Sequence, residues 1–179
     1  MSPKGLIGAC VIAAALVAAP AALADVEPIS SWEGQGYGDY CDVPIDGLAL
    51  QGDDANDMIV GTDDSDLLLG GAGRDTLSGE AAPNCLFGER GRDTIRGGAG
   101  NDQIWASAGR DRVTGATGND VIRTGQGDDR VRAGPGHDGV VLQGGDVDRV
   151  RCGPGFDRVI LDRKDRARGD CERLFFFVR

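Results

Sequence analysis

The chain has 179 residues, 30 of them Gly, with only 5% aromatic residues and a formal charge of −10. This length suits one domain or two small ones, and so few large apolar side chains cannot fill the thick core of a layered enzyme fold. The acidic balance excludes a nucleic-acid partner held through phosphate contacts and favours cations.

Residues 1–24 carry Lys4 and then an apolar run from Leu6 to Leu23, closing on Ala22-Leu23-Ala24 before Asp25. This is the pattern of a secretory signal peptide with a small-x-small cleavage site. Pro20 breaks the run and no basic stop follows it, so membrane insertion after cleavage is not expected. Removal of the leader leaves 18 basic against 29 acidic residues, a charge of −11, in a protein expected to be secreted to the extracellular space. Residues 25–51, with Trp32, Tyr37 and Tyr40 in a Gly-rich stretch, read as an N-terminal cap.

From residue 52 to 161 one pattern recurs every nine positions. Asp stands at Asp57, Asp66, Asp75, Asp93, Asp102, Asp111, Asp120, Asp129 and Asp138, with Asn84 in the one vacancy. After a slip of one residue the pattern resumes at Asp148 and Asp157. Two residues beyond each comes an aliphatic, from Ile59 and Leu68 through to Val150 and Val159. Two residues before most of them stands Gly, as a turn passing through positive φ requires. Six residues of turn and three of x-U-x strand, where U is the aliphatic, give a strand whose single apolar side chain points inward. Successive strands alternate between two parallel sheets, so a coil takes 18 residues and the fold is all-β, a parallel β-roll. Its core is a thin ladder, and its Gly-rich turns lose much entropy on ordering, so the chain alone should fold poorly.

Two stretches, Gly70-Gly71-Ala72-Gly73-Arg74-Asp75-Thr76-Leu77-Ser78 and Gly97-Gly98-Ala99-Gly100-Asn101-Asp102-Gln103-Ile104-Trp105, are complete G-G-x-G-x-D-x-U-x nonapeptides. Here the chain resembles the calcium-binding repeats-in-toxin (RTX, hemolysin-type) family. The resemblance implies Ca2+ between turns two repeats apart on one edge, held by Asp from both turns and by backbone carbonyls. One edge column would be Asp57, Asp75, Asp93, Asp111 and Asp129. The other would be Asp66, Asn84, Asp102, Asp120 and Asp138, weakened by its Asn. Repeats ending at Asp57 and Asp66 have Ala55 and Asp64 where Gly is expected. Hard oxygen donors in this number suit calcium without His or Cys.

Residues 162–179 read as a C-terminal cap. Four cysteines follow the leader, Cys41, Cys85, Cys152 and Cys171, and an even count in an oxidising compartment favours two disulfides. Three connectivities are open. The closing segment is similar to that of exported bacterial repeat proteins, which implies Cys152 with Cys171 and leaves Cys41 with Cys85.

An alternative is a metal-free solenoid in which arginines such as Arg74, Arg92, Arg110, Arg112, Arg130 and Arg132 pair with the Asp row, acting as an extracellular surface-binding protein. No catalysis is expected. The sole His, His137, sits in a turn, and neither G-x-S-x-G nor H-E-x-x-H occurs. The expectation is a structural or adhesive module that folds on calcium, with a cell-surface or matrix partner open.

Overall fold

A computed structural model of the protein describes residues 27–28, 41–144, 146–169 and 171–176. The leader and the segment with Trp32, Tyr37 and Tyr40 lie outside the described residues. The chain is a parallel two-sheet solenoid without helices among those residues. The smaller sheet has seven strands, Met58–Val60, Thr76–Ser78, Thr94–Ala99, Arg112–Thr117, Arg130–Arg132, Arg149–Arg151 and Arg166–Arg168. The larger carries the intervening strands, from Ala49–Gln51 through Leu67–Leu69, Cys85–Phe87 and Gln103–Gly109 to Arg173–Phe176. Glu27–Pro28 adds to Ala49–Gln51 in the one antiparallel pairing described.

Register follows the period. In the smaller sheet Ile59 lies beside Leu77, then Ile95, Val113, Val131, Val150 and Ala167. In the larger, Leu50, Leu68, Leu86, Ile104, Ile122, Val140 and Val159 form the facing ladder. Every member but Leu50 and Ala167 is buried, and the two ladders close on each other as one narrow core. The sheets run on beyond residue 161, because Arg166–Arg168 and Arg173–Phe176 add a further rung to each. The extra residue in the chain after Asp138 is taken up in the turns, leaving the strands in register.

From residue 70 to 136 each turn passes twice through positive φ, at the second and fourth positions of the repeat. The second is Gly in some repeats, but Glu80 (φ 69°), Glu89 (67°), Ser107 (75°) and Ala116 (85°) also hold it. The lost glycines therefore leave the turn shape intact and store local strain of about 1–2 kcal/mol each. At most fourth positions only Gly fits: a Cβ on Gly109 (φ 155°) would lie 1.4 Å from the carbonyl oxygen of Gly91, whereas Ala82 holds the position at φ 59°.

The outer faces differ. On the larger sheet the outward residues Leu67, Leu69, Cys85, Phe87 and Trp105 are buried beneath Cys41 and Val43, and Phe87 stacks on Trp105 at 4.6 Å. The Cys41–Cys85 disulfide fastens this flap to the sheet, and Cys152–Cys171 ties the last rungs together. On the smaller sheet the outward positions are polar and bare from Thr94 onward.

Candidate metal centres

The Asp of each repeat closes the turn where the strand begins, and stacking of the coils brings these residues into two columns. In each, one carboxylate oxygen accepts the backbone N–H of the column residue a coil earlier. Asp57 N–H donates to Asp75, Asp75 to Asp93, Asp93 to Asp111, Asp111 to Asp129, and Asp129 to Asp148, at 2.8–2.9 Å. On the other edge Asp66 N–H donates to Asn84, Asn84 to Asp102, Asp102 to Asp120, Asp120 to Asp138, and Asp138 to Asp157. Asp165 and Glu172 extend the columns by one step each. This ladder explains why a carboxylate or amide is needed at the position, and it leaves the second oxygen unused.

That second oxygen defines the site. Oδ2 of Asp75, Asp93, Asp102, Asp111, Asp120, Asp129, Asp138 and Asp157 is buried without a hydrogen-bond donor. A buried acceptor left in this state costs about 1–3 kcal/mol, and more when charged. Loss of hydration lifts Asp93, Asp102 and Asp138 to pKa values of about 6 and Asp111, Asp120, Asp129 and Asp148 to about 7, while the accepted N–H acts against it. Asp75 is raised by the same cause. Like charge in the column adds to the rise, except at Asp102, whose neighbour is Asn84.

Asn84 shows what these oxygens lack. Its Nδ2 donates to the carbonyls of Gly79, Ala81 and Ala82 at 3.1, 3.0 and 2.9 Å. It lies over the first glycine of its repeat, 2.7 Å from where a Cβ on Gly79 would sit. Oδ2 of Asp102 and Asp120 occupies the same place over Gly97 and Gly115, at 2.3 and 2.2 Å. One turn thus offers its cradle a partial positive charge, and the others offer it an acceptor. Only a proton or a cation reconciles an acceptor with that position. Among the described residues no three acidic, Cys or His side chains converge, so side chains alone do not fill a cation's shell there and turn carbonyls would have to contribute.

A hard cation that accepts six to eight oxygens, many of them carbonyls, fits this donor set better than one needing nitrogen or sulfur. The family model described as RTX calcium-binding nonapeptide repeat (4 copies) matches residues 51–82, 86–113 and 105–140. The chain belongs to this family. No curated relative and no solved structure matches it.

Within the RTX repeats the sequence-derived ligands fall into two groups. Asp75, Asp93, Asp102, Asp111, Asp120, Asp129 and Asp138 carry the unused oxygen. Asp66 does not: Leu48 and Thr62 N–H and the Thr62 hydroxyl take up both its oxygens. Asp57 accepts the Asp53 N–H on Oδ2. Both belong to the repeats lacking Gly at the fourth position, and in both the backbone N–H four residues earlier closes the turn. Asp157, in the repeat series but outside the ligand set drawn from the sequence, has the unused oxygen as well. Its neighbour Asp148 meets the Thr124 hydroxyl at 3.3 Å.

An Asp–Arg ladder does not form along the unused oxygens. The carboxylates from Asp75 to Asp157 point inward and are buried, whereas Arg74, Arg92, Arg110, Arg112, Arg130 and Arg132 are exposed. His137 has a role in the turn stack, its Nδ1 accepting Phe156 N–H at 2.9 Å and its own N–H donating to Asn119.

Proposed function

We propose that this RTX chain is an exported module that folds on calcium and serves outside the cytoplasm as a structural or adhesive element without catalytic activity. The observation that carries the reading is the set of eight buried carboxylate oxygens with no donor, each in a Gly-built turn. Asp75, Asp93, Asp102, Asp111, Asp120, Asp129, Asp138 and Asp157 would hold the ions together with turn carbonyls. Calcium when bound supplies positive charge where these oxygens face other acceptors. The same residues hold the coils in register through their other oxygen, which couples ion uptake to folding. Asp57 and Asp66 close their turns through backbone N–H groups and serve the fold first.

Export is supported by the leader pattern in residues 1–24 and by two disulfides that suit an oxidising compartment. Among the described residues no helix is long and apolar enough to cross a membrane. Affinity in the range of extracellular calcium modules, about 0.1–1 mM, would leave the fold unformed in a low-calcium cytoplasm and formed outside. Calorimetric titration of the purified oxidised chain tests this reading. Uptake of several calcium ions, with magnesium a weak substitute, is expected, and absence of uptake at millimolar calcium refutes it.

A further inference from the structure

The outer face of the smaller sheet carries a charge pattern that calcium binding does not use. Its outward residues on five successive rungs are Thr94 and Arg96, Arg112 and Thr114, Arg130 and Arg132, Arg149 and Arg151, then Arg166 and Arg168. All eight arginines are exposed, and none of these ten positions is acidic. Register places Arg112 beside Arg130, Arg130 beside Arg149, Arg149 beside Arg166, Arg132 beside Arg151, and Arg151 beside Arg168. Neighbouring parallel strands lie about 4.8 Å apart, so five like-charged pairs stand next to one another, an arrangement that disfavours the isolated sheet. The nearby acids Asp128 and Asp146 are engaged by the backbone N–H groups of Val147 and Gly127. A groove of 290 Å³ is lined by Arg130, Arg132, Arg149, Arg151, Arg166 and Arg168.

We propose that this face docks an extended acidic polysaccharide, a linear chain with one carboxylate or sulfate on each sugar. Guanidinium groups present forked donors that match such planar or tripodal anions, and the face uses Arg alone, never Lys. The array is two columns wide with in-register rungs about 4.8 Å apart, so it meets an extended polymer with anions recurring at intervals of a few ångströms. Single-stranded nucleic acid would need aromatic platforms for its bases, and the rungs have none. Duplex DNA is read by helices or ribbons that enter its grooves, whereas these arginines stand on the face of a sheet in a strongly acidic chain. A bilayer would need apolar side chains to insert, but the valines between the arginines point into the core. The proposal supplies a partner class for the adhesive reading and rests on the folded roll.

The test is retention of the full oxidised chain on immobilised polygalacturonate at saturating calcium, with circular dichroism of the same samples reporting the fold. Neutral dextran, duplex DNA and phosphatidylglycerol–phosphatidylcholine vesicles are run beside it. Binding that weakens with salt is expected on polygalacturonate and not on dextran. Arg130→Ser/Arg132→Ser/Arg149→Ser/Arg151→Ser should lower the affinity about tenfold or more with the calcium-bound spectrum retained. A one-rung variant, Arg149→Ser/Arg151→Ser, should lower it roughly threefold, which keeps the test open where the fourfold variant does not fold. Arg90→Ser/Arg158→Ser changes net charge equally on the larger sheet and should leave retention unaltered. Equal retention of face variants and parent, which is what calcium bridging would give, overturns the proposal, as does tighter binding to DNA or vesicles. A chain that folds with calcium and ignores the polymer overturns the docking face alone, whereas a chain indifferent to calcium overturns the function on which it rests.

Discussion

Two turns of the same roll, 79–84 and 97–102, use one backbone plan and opposite chemistry. In the first, Asn84 feeds its amide hydrogens to three carbonyls of its own turn, and Ala82 sits at φ 59°, where a side chain is tolerable. In the second, Asp102 places an unused oxygen over Gly97, and Gly100 holds φ 122°. The Asn turn is complete as protein alone. The Asp turn is complete only with added positive charge, and seven other turns share its deficit. On the proposed reading, calcium dependence is a property of individual turns, set by one atom in each.

The widest test of this contrast is pH in the absence of calcium. The raised values, about 6 to 7 in the fold against 3.8 as the ordinary value, mean that the metal-free roll binds more protons than the unfolded chain. Its stability from these groups is fully present below about pH 4 and is lost as pH rises through 6 to 7. Acid should therefore promote β structure in chelator, and calcium affinity should fall below about pH 6. Denaturant melts from pH 4 to 8, with and without calcium, check the sign; a metal-free roll that gains stability on raising pH contradicts it.

A backbone comparison comes next. Gly109→Ala should cost about 3 kcal/mol or more, since its Cβ collides with the Gly91 carbonyl. Ala82→Gly, at the matching position of the Asn turn, should change stability by less than about 1 kcal/mol. Thermal melts in calcium separate the two.

Ligand deletions sharpen the same division. Asp93→Ala and Asp111→Ala each remove an unused oxygen and the acceptor for a neighbour's N–H, so calcium uptake and about 1–3 kcal/mol of calcium-bound stability should be lost. Asp66→Ala should weaken the fold with little change in the number of ions taken up, because Leu48 and Thr62 already use its carboxylate. Equal losses of bound calcium from all three, read by equilibrium dialysis, would reject the distinction.

The smallest expected change comes from exchanging the two chemistries. Asp102→Asn should stabilise the calcium-free form by about 1–2 kcal/mol at neutral pH and reduce its response to calcium, while Asn84→Asp should do the reverse. Chelator-state melts of both variants check the pair.

Much of this architecture was legible in the chain because the nine-residue period fixes both which side chain points inward and how coils align. Both columns and both disulfides lie as the sequence implies. The chemistry within the columns was less legible. That Asp66 is occupied depends on Leu48, eighteen residues back, and on the local conformation of Thr62, neither visible in a motif. Asp157 could have been included on the strength of its Gly155 and Val159, but the slip in register obscured its place. The strands after residue 161 carry degenerate repeats, Arg166-Ala167-Arg168 among them, and only pairing shows them to be rungs. The arginine face was hidden for a related reason. Its residues are scattered at intervals of 17 to 19 in sequence and become a surface only when the coils stack.

The central claim, that unused Asp oxygens make the roll depend on calcium, is tested most directly by the oxidised chain at pH 8, above the raised carboxylate values. Circular dichroism and small-angle scattering are recorded in excess chelator and again as calcium is added. The account predicts an expanded chain with little β structure that compacts into a roll through the millimolar range. The same compact β structure in chelator as in calcium would contradict it.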